Sequence, residues 1–81
     1  MAPKLPQVSG RRVLKLLTRL GYEIVRQRGS HARLTRQTDS GAHNITVPLH
    51  PVLAKGTLND ILTEVSARNQ ISKDDLIQQL R

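Results

Sequence analysis

The chain has 81 residues, no cysteine, and 13 Lys and Arg against 6 Asp and Glu, for a net charge of +7. A single domain over 1–81 is expected, burying only about 60% of the surface that its unfolded form exposes. A disulfide framework and cysteine-based zinc or redox sites are excluded. No apolar run approaches the roughly 18 residues of a membrane span. The amino-terminal segment lacks the apolar stretch of a signal peptide. A soluble cytoplasmic domain with no membrane partner is therefore expected.

Ser9 can cap a helix whose apolar residues Val13, Leu16, Leu17 and Leu20 recur at the spacing of one buried stripe, widened by Leu14. Gly21 stands where a left-handed residue would end it. The opposite face carries Arg11, Arg12, Lys15 and Arg19. A strand is predicted over Tyr22–Gln27, from its β-branched residues and partial alternation, and is interrupted by Arg28-Gly29-Ser30. A second strand runs from about His31 to Arg36, with Ala32 and Leu34 facing one way and His31, Arg33 and Thr35 the other. Thr38-Asp39-Ser40-Gly41 supplies turn chemistry for a hairpin into a third strand over about Asn44–Val47. Pro48 and Pro51 stop that strand and shape a loop holding His50. Thr57 with Asp60 suggests a capping box for a helix bearing Leu58, Ile61, Leu62 and Val65. Ser72 opens a last short helix with Leu76, Ile77 and Leu80.

The fold class expected from this order is α+β: an antiparallel three-stranded sheet covered by helices on one face, with a short extra carboxy-terminal helix. One tyrosine and no Phe or Trp leave the core to Leu, Ile and Val, and leave no aromatic platform for stacking single-stranded bases. The other sheet face, with His31, Arg33 and Thr35, is open to solvent.

Charge is concentrated toward the amino terminus. Residues 1–56 hold ten basic groups against two acidic ones, while 57–81 hold three against four. This asymmetry points to a polyanion partner. Arginine outnumbers lysine nine to four, which favours phosphate, because the guanidinium fork matches its oxygens.

His31 is the first candidate for chemistry. An imidazole exchanges protons near neutral pH. The nearby Arg26, Arg28, Arg33 and Arg36 would attract a phosphodiester and stabilise charge developing as it breaks. RNA supplies its own nucleophile, the 2′-hydroxyl. The competing reading of His31 is an exposed strand histidine with no role. His43, beside the hairpin turn, is expected on the surface. His50 is an auxiliary candidate whose plainer role is to tie down its loop. No metal site is expected from three histidines 12 and 7 residues apart without cysteine, and no cofactor-binding or nucleophile–base motif is present.

Taken together, Ser9-Gly10, Val13 to Leu20, Gly21-Tyr22, Arg26-Gln27-Arg28-Gly29-Ser30-His31, and Val47-Pro48-Leu49-His50 through Gly56-Thr57-Leu58 to Ile61-Leu62 resemble the HicA-type toxin family. These are small bacterial and archaeal messenger-RNA interferases of toxin–antitoxin pairs. The resemblance covers about 7–66 and rests on order and spacing. It implies a fold similar to the double-stranded-RNA-binding domain, helix-strand-strand-strand-helix. It also implies that His31 is catalytic and that Gly29, with Ser30 in the supporting turn, matters for activity. Many members carry a second histidine directly after the first, where this chain has Ala32. Residues 70–81 form an extension beyond the resemblance.

The function expected is a metal-independent endoribonuclease toxin that cleaves mRNA and is neutralised by a HicB-type antitoxin whose acidic surface covers the cationic face. RNA contacts are expected from Arg11, Lys15, Arg19, Arg26, Arg28 and Arg33. The rival reading is a non-catalytic module recognising double-stranded RNA by shape. A DNA-binding accessory protein is a third, since charge alone does not distinguish polyanions.

Overall fold

The computed structural model describes residues 4–81. Its elements are α1 (Gly10–Arg19), β1 (Glu23–Arg28), β2 (His31–Thr38), β3 (Gly41–Pro48), α2 (Lys55–Asn69) and α3 (Lys73–Leu80). The strands form one antiparallel sheet in the order β1-β2-β3. This is the expected α+β architecture with a carboxy-terminal helix added.

In α1 the Ser9 side chain accepts the Arg12 backbone N–H at 3.1 Å, supplying the predicted cap. Val13, Leu16 and Leu17 are buried, and Leu20 and Leu14 pack partly against the same core. Leu20 caps the helix, and Tyr22 N–H donates to Leu17 O at 3.0 Å as the chain turns toward the sheet. Ala32 and Leu34 of β2 and Ile45 and Val47 of β3 meet that stripe from the inner face of the sheet. Leu58, Ile61, Leu62 and Val65 of α2 complete the layer.

The carboxy-terminal extension is part of the core. Leu76, Ile77 and Leu80 of α3 are buried in the same cluster. Ser72 caps α3 by accepting the Asp75 N–H, and Asp74 and Asp75 occupy the first turn, where negative charge suits the helix dipole. Lys73 Nζ donates to Asn59 Oδ1 of α2, and an Arg12 guanidinium N–H donates to Leu80 O at 3.0 Å. These contacts lock α3 against both other helices.

Three expectations need correction. The helix expected to open on a Thr57/Asp60 capping box begins earlier, at Lys55, with Ala54 at the N-cap and no side-chain cap bond. With Ala54 in extended conformation at the N-cap, Thr57 already lies inside the first turn. Tyr22, expected to open the first strand, precedes it and is buried. His43, expected on the surface, is 4% exposed.

The last two corrections share one cause. Tyr22 O–H lies 2.6 Å from His43 Nδ1, and Asn69 Nδ2 of α2 donates to the same hydroxyl at 2.8 Å. The hydroxyl therefore donates its own proton to Nδ1, which fixes the neutral His43 tautomer protonated at Nε2. Arg36, the cross-strand partner of His43, donates to Asn69 Oδ1. The buried pair Tyr22 and His43 and the half-buried Arg36 and Asn69 are thus joined in one hydrogen-bonded network.

Burial holds the His43 pKa below its ordinary value of 6.5; Arg68 acts in the same direction and Glu64 against it. The unfolded chain therefore takes up a proton on His43 as pH falls below about 6.5, while the folded chain refuses it until lower pH. Stability from this site is complete above that value and declines as the medium is acidified. Thermal melts between pH 8 and 5 should show a falling Tm that His43→Gln flattens over this window. Parallel curves for the two proteins would remove His43 as the cause.

Candidate active site

His31 begins β2 immediately after a two-residue turn. Arg28 pairs with His31 across it, leaving Gly29 and Ser30 as the turn residues. Gly29 has φ 58, the glycine-first arrangement that tight hairpins favour. A side chain at Gly29 would meet no neighbour, so the requirement there is purely one of backbone conformation. His31 is exposed while its neighbour Ala32 is fully buried. Position 32 faces the core, so a histidine there would not join His31 on the open sheet face.

β1 contains an irregularity that sequence parity does not reveal. Ile24 pairs with Leu34, but the next pair is Arg26 with Arg33, leaving Val25 unpaired as a bulge. An unbroken strand would set Arg26 opposite buried Ala32. The bulge shifts the register by one residue, which exchanges the two faces of everything after it. Arg26 now lies opposite Arg33, and Arg28 opposite His31. Three arginines and His31 consequently share the solvent face. Thr46 of β3 extends the Arg33 row and Pro48 the His31 row.

The loop after β3 brings His50 to the same place. The rings of His31 and His50 are 6.4 Å apart between centroids and inclined at 71°. Two backbone bonds hold this approach: Leu49 N–H donates to Ser30 O, and Gly10 N–H at the start of α1 donates to His50 O at 2.9 Å. Gly10 is required by the contact, since a Cβ there would land on the Pro48 carbonyl. The turn before His31, the loop bearing His50 and the start of α1 form one tied corner.

The remaining candidates lie elsewhere. Lys15 and Arg19, with Arg12, Thr18, Gln79 and Arg81, line a groove between α1 and α3 on the helix layer. Arg11 is an exposed residue of the first turn of α1. The cations therefore form two fields, one on the open sheet face and one over the helices. Among the described residues, no group of three or more His, Cys, Asp or Glu is placed to hold a metal ion. No helix among them is long and apolar enough to cross a membrane.

Fold and site together define a small cationic α+β domain with an exposed, arginine-flanked histidine pair on its open sheet face. A family model described as the HicA toxin of bacterial toxin–antitoxin matches residues 10–66. The chain belongs to the HicA toxin family. No curated protein and no solved structure matches it. The match stops at residue 66, so α3, with its three buried side chains, lies wholly outside it.

Proposed function

We propose that this HicA-family toxin is an endoribonuclease that cleaves messenger RNA in the cytoplasm without a metal ion, using His31 for proton transfer. The observation that carries this reading is the bulge-aligned face, where Arg26, Arg28 and Arg33 surround an exposed imidazole. Guanidinium groups there would bind the phosphodiester and stabilise the charge that grows on it during displacement by the 2′-hydroxyl. Gly29 and Ser30 hold the turn that presents His31. Arg11, Lys15 and Arg19 extend the cationic surface for longer RNA. A HicB-type antitoxin with an acidic surface would neutralise the toxin by covering the sheet face.

The direct test is incubation of the purified protein with a transcript in the presence of a chelator. Fragments ending in 2′,3′-cyclic phosphate and 5′-hydroxyl are expected, at a rate that EDTA leaves unchanged. Intact RNA, or cleavage abolished by EDTA, would overturn the reading.

Binding should depend steeply on salt. Contact with four to six phosphates gives a log–log slope of about −3 to −5, at roughly 0.7–0.9 per contact. Arg26→Gln with Arg28→Gln should flatten that slope by about one unit per lost contact and weaken all RNAs alike. An unchanged slope in the double variant would remove the sheet face as the RNA-binding surface.

A further inference from the structure

We infer that His50 is a second catalytic residue, forming with His31 an acid–base couple across one phosphodiester. This rests on the ribonuclease reading above and adds to it the group that a single histidine leaves missing. Cleavage of RNA by its own 2′-hydroxyl requires two proton transfers. An imidazole removes the 2′-hydroxyl proton as the 2′-oxygen attacks phosphorus and the new P–O bond forms. The P–O5′ bond breaks, and an imidazolium gives its proton to the departing 5′-oxygen. The two rings exchange protonation states in that turnover, and proton exchange with water restores them. One imidazole cannot be neutral for the first transfer and protonated for the second within a single concerted step.

The geometry meets this requirement at one place. The His31 and His50 rings stand 6.4 Å apart and 71° from coplanar, and both residues are exposed. Such a separation suits two groups addressing opposite oxygens of one phosphodiester, each through a hydrogen bond of about 2.6–3.2 Å. Arg28 is the cross-strand partner of His31, and Arg33 lies two residues along the same face, so phosphate is drawn to the rim of the pair. His43, the third histidine, is buried against Tyr22 and takes no part.

The backbone around His50 is arranged to hold its position. Its carbonyl accepts the Gly10 N–H, and Leu49 N–H is bonded to Ser30 in the turn preceding His31. The loop is therefore anchored through main-chain atoms, and the His50 side chain is exposed. Side-chain substitutions at position 50 keep both anchors. The plainer role, a histidine that ties down its loop, would need its ring to be bonded, whereas here the carbonyl makes the tie.

The experiment compares wild type, His31→Ala, His50→Ala and His50→Gln, each first shown by thermal melting to be folded. Two substrates are used: an RNA oligonucleotide, and the same oligonucleotide with sulfur replacing the bridging 5′-oxygen at the scissile bond. Wild type should give a bell-shaped pH–rate profile on RNA. Both His50 variants should lose about 10²–10⁴-fold and one limb of the bell, the usual contribution of a general acid or base. His31→Ala should lose the other limb. A thiolate departs without a proton, so the sulfur substrate should restore whichever variant lacks the acid and leave the other slow. His50 variants that cleave RNA at the wild-type rate, or that slow while keeping both limbs, overturn the couple but not the ribonuclease reading. A folded wild type that leaves RNA intact overturns both.

Discussion

His31→Ala is expected to abolish RNA cleavage and growth arrest while leaving the domain folded. The side chain projects from the open sheet face, where substitutions usually change stability by within about 0.5 kcal/mol. Loss of a general acid or base removes about 10²–10⁴-fold of rate. Cell growth and RNA integrity during expression, read beside the melting curve of the purified variant, separate loss of chemistry from loss of fold. On the proposed reading, the His31→Ala protein should still bind RNA and its antitoxin, because the arginines proposed to attract both remain. A folded variant that cleaves at the wild-type rate would remove His31 from the chemistry.

The largest effect on the fold is expected from the core. Leu17 in α1 and Leu76 in α3 are both fully buried in the single apolar cluster. Truncating either to alanine should cost about 2–5 kcal/mol, the usual effect of emptying a packed leucine site. In a domain of this size each kcal/mol lowers Tm by about 4–8 °C, so either variant should melt far below wild type. Leu76→Ala is the more informative of the two, because α3 lies beyond the residues that the family model matches. Equal melting of Leu76→Ala and wild type would mean that α3 is dispensable to the fold.

The elements were largely legible in the sequence because their signals are local. The apolar spacing of α1, the serine caps at Ser9 and Ser72, and the alternation of Ala32 and Leu34 around Arg33 each lie within a few residues. His31 could be placed on an open face for the same reason. Three features were not legible, and each depends on contact between distant parts of the chain. The bulge at Val25 is defined only by which residues of β2 it skips. Burial of His43 depends on Tyr22 and, through its hydroxyl, on Asn69. The approach of His50 to His31 depends on Gly10 and Ser30 anchoring the intervening loop. His50 could be singled out as a residue, but its partner could not. The expected Thr57/Asp60 cap shows the reverse error, a local pattern that the helix overrides by starting three residues sooner, with Ala54 at its N-cap.

The bulge at Val25 also has a thermodynamic consequence. By turning Arg26 to face Arg33 it sets two like charges directly opposite on adjacent strands, an arrangement that weakens a sheet. That mutual repulsion is present only while the face is empty. A polyanion laid across it cancels the repulsion and, by binding the folded state alone, raises apparent stability further. Dissolved salt acts on the same pair by screening, over about 8 Å at physiological ionic strength. Ionic strength should therefore act with opposite signs on the proposed RNA binding and on the fold: it would loosen the grip on a polyanion and steady the unoccupied sheet.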